Sequence, residues 1–232
     1  MKSNTQQQTG FVTAFSWICL SIITLGLPIT VEAQEQSLVK LACQTALNTS
    51  EQKPQAKQVQ KLAQFADTSQ ERSQLIQQAN NLYNQRDFQG AAKTLCQLLK
   101  KSPQDTFVNF QLGNVFARLN QPEAAISAYR EAIRRNSKYA LAYNGIGVVY
   151  ASQSRWEDAI AEYKKALEIN PNYGEALVNY GQALWQINQK EQARASLEKA
   201  LSIFKSQNRN ERVYQVEQIL QQIKTLDNPG IS

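Results

Sequence analysis

The hydrophobic residues between Ala140 and Tyr173 fall into two blocks in which apolar side chains recur three or four positions apart. The first block contains Tyr143, Ile146 and Tyr150, and the second contains Ala159, Ile160, Tyr163, Ala166 and Leu167. This spacing places the apolar side chains on one face of an α-helix. The stretch therefore predicts two amphipathic helices joined by a short polar turn.

The same pattern recurs at intervals of 34 residues on both sides of this stretch. Small residues mark positions 8 and 20 of the unit, and large apolar residues mark positions 11 and 24. Position 8 holds Ala79, Gly113, Gly147 and Gly181, and position 20 holds Ala91, Ala125, Ala159 and Ala193. Position 11 holds Leu82, Phe116, Tyr150 and Leu184, and position 24 holds Leu95, Tyr129, Tyr163 and Leu197. Self-similarity at a fixed period is the signature of stacked repeats. We predict four units, at residues 72–105, 106–139, 140–173 and 174–207.

The residue types at these positions indicate how the two helices of a unit pack. Glycine and alanine at positions 8 and 20 have almost no side chain, so they allow the two helix backbones to approach closely. The large side chains at positions 11 and 24 then fill the space between the helices. Proline marks helix boundaries: Pro122 suits the first position of a helix, and Pro103 and Pro171 end the helix that precedes each of them.

Together these residues resemble the tetratricopeptide repeat, and residues 140–173 match its pattern best. The resemblance covers residues 72–205 and implies an all-α fold, in which helix-turn-helix units form a right-handed superhelical stack, or α-solenoid. It also implies that positions 2, 5, 9 and 12 of each first helix line a concave groove, which we call the groove surface. The spacing of these positions does place them on one helical face.

The groove surface mixes apolar contact area with amide groups that suit a peptide backbone. With position 13 included, the candidate partner-binding residues are Asn80, Tyr83, Phe107, Phe110, Asn114, Arg118, Asn144, Val148, Gln182 and Trp185. For Phe107, Phe110 and Leu141, packing against neighbouring repeats is an alternative of equal standing to partner binding.

Members of the family that bind chaperones hold a C-terminal carboxylate with lysine, arginine and asparagine side chains at fixed positions of three units. Asn80 matches that pattern. The positions that do not match are Ile76, Gln111, Leu141 and Gly145. We therefore expect no carboxylate clamp of this kind.

Two segments flank the repeats and are predicted to cover the ends of the stack. In residues 34–71, apolar residues at helical spacing occur before and after Pro54, which predicts a helical hairpin; a flexible, glutamine-rich leader is the alternative. Residues 208–226 predict an amphipathic capping helix, because an open stack needs a terminal element with a polar outer face. Residues 227–232 are expected to form a frayed tail.

Residues 1–33 have the features of a signal peptide. Lys2 precedes an apolar run from Phe11 to Ile29, and Val31 and Ala33 are small residues at the spacing that signal peptidase prefers. We expect cleavage after Ala33 and export to the periplasm or an equivalent extracytoplasmic lumen. The alternative is an uncleaved anchor at residues 11–31, because the apolar run approaches the length that spans a bilayer. Only in that case do we expect membrane contact.

Two cysteines, Cys43 and Cys96, follow the predicted cleavage site. An even pair in an oxidising compartment favours a disulfide, which here would join the N-terminal segment to the first unit. Two separate buried thiols are the alternative.

The charge pattern and the residue types that are absent argue against several classes of function. The formal net charge of +6 arises from cations interspersed with acidic and amide residues along the helices, as in a solvated face, so we expect no nucleic-acid partner. The chain has no histidine, no glycine-rich phosphate loop and no cysteine pair at metal spacing. We therefore predict a protein that is not an enzyme and has no metal site, no cofactor and no small-molecule substrate.

The leading hypothesis is a scaffold that binds a segment of another protein in the groove and takes part in assembling an envelope or lumenal complex. The alternative is a structural subunit that docks through its convex face or its N-terminal cap, with no peptide in the groove.

Overall fold

The structure is a computed structural model that describes residues 31–48 and 68–227. The chain divides into two compact units, Met1–Gln34 and Glu35–Ser232, and the contacts given below belong to the second. Several predictions concern residues outside the described ranges. These are the apolar run of the signal peptide, the second helix of the N-terminal hairpin and the last five residues of the tail.

The described residues form ten α-helices and contain no strand. The helices are α1 Val31–Asn48, α2 Thr68–Asn84, α3 Phe88–Lys101, α4 Thr106–Arg118, α5 Pro122–Arg135, α6 Ala140–Ser152, α7 Trp156–Ile169, α8 Gly174–Gln186, α9 Lys190–Ser206 and α10 Asn210–Asp227. From α2 onward each helix packs against the next, and α6 also contacts α4 and α8. The predicted all-α solenoid is confirmed.

The glycines at position 8 lie against the side chains at position 24 of the same unit. A Cβ atom placed on Gly147 would lie 2.5 Å from Cε1 of Tyr163, and one placed on Gly181 would lie 2.9 Å from Cγ of Leu197. Such distances are far inside van der Waals contact, so only glycine fits while these side chains keep their positions. The predicted close approach of the two helices is thus confirmed at these units.

The turn between the two helices has the same backbone geometry in every unit. Position 15 has a positive φ without being glycine, and the N–H of the next residue donates a hydrogen bond to the carbonyl five residues earlier. These residues are Arg86, Asn120, Ser154 and Asn188, and Asn208 repeats the arrangement before α10. This is a Schellman-type helix end, which satisfies carbonyl groups of the last turn.

Helix boundaries follow the expected residues. Pro122 is the first residue of α5, as predicted. Helices α3 and α7 end two residues before Pro103 and Pro171. Asp105 caps α4, because its carboxylate accepts a hydrogen bond of 3.1 Å from the backbone N–H of Val108.

Helix α10 covers the last unit. Val216 and Ile223 are buried, in a cluster with Phe204 of α9. Ion pairs join Lys205 to Glu217 at 2.9 Å and Arg209 to Glu175 at 2.6 Å. These contacts tie the terminal helix and the turn before it to α8 and α9.

Helix α1 is joined to the stack by a disulfide. Cys43 of α1 is bonded to Cys96 of α3, and their Cα atoms lie 5.4 Å apart. Val39 and Ala46 on the same helix are buried, whereas Leu41 is 55% exposed. The helix begins at Val31, before the predicted cleavage point.

Among the helices of residues 31–48 and 68–227, none has the length and apolar character needed to span a membrane.

Candidate functional site

The groove surface lies on the first helices of the four units, α2, α4, α6 and α8. Five of the ten predicted residues are exposed, namely Asn80, Phe107, Arg118, Val148 and Gln182. The other five are half-buried, namely Tyr83, Phe110, Asn114, Asn144 and Trp185. Their roles divide into an amide network, an apolar surface and a set of packing residues.

A chain of hydrogen bonds runs from α2 across α4. Gln111 donates from Nε2 to Oδ1 of Asn80 at 2.9 Å, and Asn114 donates from Nδ2 to Oε1 of Gln111 at 3.1 Å. Tyr129 of α5 completes the chain by donating from its hydroxyl to Oδ1 of Asn114 at 2.8 Å. Burial raises the pKa of Tyr129, so this hydroxyl stays protonated and remains a donor.

A cavity of about 310 Å³ opens beside this chain, between α2 and α4. Its lining residues are Ala79, Asn80, Tyr83, Asn84, Leu95, Gln111, Asn114 and Val115. Four of them carry amide side chains, which both donate and accept hydrogen bonds. A peptide group or a polar side chain placed here would find partners for its N–H and its carbonyl.

A second amide pair links α6 to α8. Asn179 donates from Nδ2 to Oδ1 of Asn144 at 3.0 Å. Asn179 and Gln111 both occupy position 6, which is not among the positions predicted to bind a partner. Amides recur at position 6 in three of the four units, with Gln77 as the third, and that recurrence is the signal that would have identified them.

Three apolar side chains on α4 and α6 remain open to solvent. Phe107 is 37% exposed, Leu141 is 40% exposed and Val148 is 43% exposed. For Phe107 and Leu141, the sequence left packing between repeats as an alternative. Their exposure leaves apolar area available to a partner.

Phe110 and Trp185 also contact residues of the stack. The ring of Phe110 lies 5.4 Å from that of Tyr139 and 5.8 Å from that of Tyr129, measured between centroids. Trp185 packs against both buried clusters of the stack, and Nζ of Lys190 lies 5.3 Å from its ring centroid. Both side chains are half-buried and contact residues of the stack, and their part in partner binding stays a prediction.

The groove surface carries one charge of each sign. Arg118 lies over the ring of Phe88, with Cζ 4.9 Å from the centroid, and Glu175 is paired with Arg209. Gly145 occupies one position at which chaperone-binding relatives place a clamp residue, and the ring of Tyr129 lies against it. A Cβ atom on Gly145 would be 2.6 Å from Cζ of that ring. The packing of the stack thus closes this clamp position to a side chain.

Within the described residues, no group of three or more histidine, cysteine, aspartate or glutamate side chains is arranged to hold a metal ion. The side chains that link consecutive first helices at the groove surface are amides, and amides neither attack substrates as nucleophiles nor titrate as acids or bases near neutral pH. The arrangement suits recognition by hydrogen bonding.

Comparison with known families agrees with this geometry. Family models of the tetratricopeptide repeat match residues 110–174 and 150–216. This part of the chain therefore contains tetratricopeptide repeats, and the resemblance drawn from the sequence is confirmed there. Proteins built on this repeat are generally non-catalytic scaffolds for protein interaction. No curated protein matches the chain.

Among solved structures, a MamA protein is 24% identical over 59% of this chain and 75% of its own, with a TM-score of 0.51. A second MamA structure is 17% identical over 64% of this chain and 95% of its own, with a TM-score of 0.50. The TPR2B domain of yeast Sti1, in its pHsp70 complex, is 21% identical over 52% of this chain and 97% of its own, with a TM-score of 0.50. At these identities the similarity concerns the fold.

Proposed function

We propose that the protein is a non-enzymatic scaffold that binds an extended segment of another protein on its groove surface. The observation that carries the proposal is the juxtaposition of exposed apolar side chains with an amide network on consecutive first helices. Phe107, Leu141 and Val148 are not needed by the buried core, and exposed apolar area of this kind marks interaction sites. The similarity in fold to the TPR2B domain of yeast Sti1, which was solved as its pHsp70 complex, supports a role in binding another protein.

The amides hydrogen-bond to the backbone of the bound segment, and the exposed apolar residues contact its side chains. The NH₂ group of Asn80 makes no hydrogen bond to another described residue, so it remains available to a peptide carbonyl. Each hydrogen bond to the partner would contribute about 0.5–1.5 kcal/mol net. Arg118 and Glu175 are the only charged residues of the groove surface, and their charges are opposite. We therefore expect the groove surface not to select a peptide for a charged terminus.

We further propose that this scaffold works in an oxidising, extracytoplasmic compartment, in the assembly of an envelope or lumenal complex. The pairing of Cys43 with Cys96 supports such a compartment, because disulfides persist where thiols are not kept reduced. The signal-peptide features of residues 1–33 support the same location.

A second candidate function is docking through the N-terminal cap, and one observation favours it. Leu38 is 37% exposed and Leu41 is 55% exposed, one turn apart on α1. An apolar pair of this kind on a terminal helix offers a smaller contact surface than the groove surface does.

Cross-linking capture from the native envelope fraction separates the two functions. The groove variant Phe107→Ser/Leu141→Ser/Val148→Ser removes exposed apolar area without touching the core. The cap variant Leu38→Ser/Leu41→Ser is its matched control. We expect the cap variant to retain a partner that the groove variant loses, with both variants as helical as the wild type. Loss in the cap variant alone would assign the function to α1.

A further inference from the structure

A second cavity lies away from the groove surface, between α1 and the second helices of the first two units. Its volume is about 610 Å³. Its lining residues are Val39, Lys40, Cys43, Gln44, Leu47, Cys96, Leu99, Lys100, Pro103, Asn109, Glu131, Arg134 and Arg135. None of the ten candidate groove residues is among them. The volume falls within the range of small-molecule binding pockets.

The lining combines an apolar wall with an excess of positive charge. Val39, Leu47, Leu99 and Pro103 form the apolar part, together with the disulfide. The lining includes four cationic side chains and one carboxylate, that of Glu131. Oε2 of Glu131 accepts a hydrogen bond of 2.5 Å from Arg134.

The remaining cations of this lining differ from Arg134 in their pairing. Within residues 31–48 and 68–227, Lys40, Lys100 and Arg135 form no ion pair with a carboxylate. All three are exposed, and each comes from a different helix: α1, α3 and α5. An anion at the mouth of the cavity would therefore be approached by donors from three elements, through charge-assisted hydrogen bonds.

We propose that this cavity binds a free, single-chain anionic amphiphile of the long-chain carboxylate class. The carboxylate pairs with Lys100 and Arg135 at the mouth, and the hydrocarbon chain lies along Val39, Leu47 and Leu99. A small hydrophilic anion would satisfy the cations but leave the apolar wall in contact with water. A neutral hydrocarbon would cover the wall but leave the cations unpaired. The amphiphile satisfies both parts of the lining.

The disulfide links the helix that forms one wall of the cavity to the stack. Helix α1 contributes Val39, Lys40, Cys43, Gln44 and Leu47 to the lining, and its link to α3 holds that wall in place. A preformed site binds without the entropic cost of ordering its walls.

The proposal is tested by calorimetric titration of the oxidised full-length protein with hexadecanoate below its micellar concentration. We expect saturable 1:1 binding that weakens at least tenfold in Lys100→Gln/Arg135→Gln. The matched control Lys164→Gln/Lys199→Gln removes the same charge from exposed positions of α7 and α9, and we expect it to bind as the wild type does. Hexadecanol, which lacks the carboxylate, should bind at least tenfold more weakly than hexadecanoate.

Three outcomes would overturn the proposal: no saturable binding, equal affinity for the two ligands, or equal affinity in the wild type and Lys100→Gln/Arg135→Gln. Vesicles of phosphatidylglycerol form a separate arm. Binding to these vesicles without binding of monomeric hexadecanoate would assign the cationic mouth to membrane attachment and would likewise overturn the proposal.

Discussion

At the scale of residues, the contact between position 8 and position 24 fixes the distance between the two helices of a unit. Tyr129 extends this contact beyond its own unit, because its ring also lies against Gly145 of the next first helix. Its hydroxyl then reaches Asn114 on the groove surface. The side chain of Tyr129 thus takes part in the packing of its own unit, in the contact with the next unit and in the amide network.

Gly147→Ala tests the first of these contacts. The new methyl group would lie 2.5 Å from Cε1 of Tyr163, which is buried and has little room to move. We expect the free energy of unfolding, measured in urea, to fall by about 1–3 kcal/mol. The first unit carries alanine and leucine at these two positions, as Ala79 and Leu95. Gly147→Ala/Tyr163→Leu should therefore be more stable than the sum of the two single changes predicts, and strict additivity would contradict the contact.

Ser154→Asn tests the turn geometry. Ser154 has φ 59°, a left-handed conformation that asparagine tolerates better than serine. The equivalent turn residues Asn120, Asn188 and Asn208 are already asparagine. We expect a gain in the free energy of unfolding of up to about 1 kcal/mol. The reverse change, Asn120→Ser, should lose a similar amount; a loss in Ser154→Asn would contradict this reading of the turn.

Asp105 makes stability depend on acid pH. Burial acts to raise its pKa, but hydrogen bonds from Arg72 and from the Val108 N–H outweigh burial and leave the pKa below its usual value. The folded-state pKa is therefore lower than the unfolded one. The stabilisation is present above the ordinary aspartate pKa of about 4 and is lost as pH falls through the folded-state value.

Asp105→Asn keeps a capping side chain but removes the ion pair with Arg72, whose Nε lies 2.7 Å from Oδ2. We expect a loss on the order of 1 kcal/mol at pH 7, because Arg72 is partly exposed, and a smaller loss below pH 4. Urea unfolding across pH measures this dependence. Asp87→Asn, at another cap, is the control without an ion pair to a described residue. A loss in Asp105→Asn that stays constant across pH would contradict the linkage.

At the scale of elements, the sequence predicted the repeat helices well because their apolar periodicity and boundary residues are local signals. Pro122 at the start of α5 is an example, since its effect depends on the backbone of that residue alone. The shared turn geometry at position 15 was not predicted, because Arg86 and Ser154 are not residue types that signal a positive φ. There the helix end imposes the conformation.

Helix α1 shows a second limit of prediction from the sequence. The residues favoured a helix before Pro54 and left the state of Cys43 and Cys96 open. Both cysteines read as ordinary apolar helix residues, and which helix they approach depends on the tertiary fold. In the structure α1 is tied to α3 by their disulfide, while its Leu38 and Leu41 remain exposed.

Cys43→Ser/Cys96→Ser tests how α1 is held. The disulfide closes a loop with a sequence separation of 53, for which chain entropy predicts a stabilisation of up to about 4 kcal/mol. Because only Val39 and Ala46 are buried among residues 37–47 of α1, we expect the loss to fall on α1. Hydrogen exchange should show α1 unprotected and α3–α9 protected as in the wild type. Unchanged protection of α1 would show that packing alone holds it.

At the scale of the whole molecule, the periodic sequence predicted the solenoid, whereas the groove face was implied by the family resemblance and stays a prediction. The sequence did not predict which groove residues are free. Phe110, for which packing was an equal alternative from the start, and Trp185 both pack against neighbouring side chains of the stack. The bonds of Asn80 with Gln111 and of Asn144 with Asn179 join different units. The period along the chain shows that amides recur at position 6, but it does not show which side chains they bond.

The central claim is that a partner segment binds on the groove surface through apolar contacts and neutral amides. The most direct test is the affinity of the captured partner segment for the wild type, for Phe107→Ser/Leu141→Ser/Val148→Ser and for Leu38→Ser/Leu41→Ser, measured by calorimetry at low and high salt. We predict at least tenfold weaker binding by the groove variant, wild-type binding by the cap variant and little dependence on salt. Equal affinity in the wild type and the groove variant would contradict the claim.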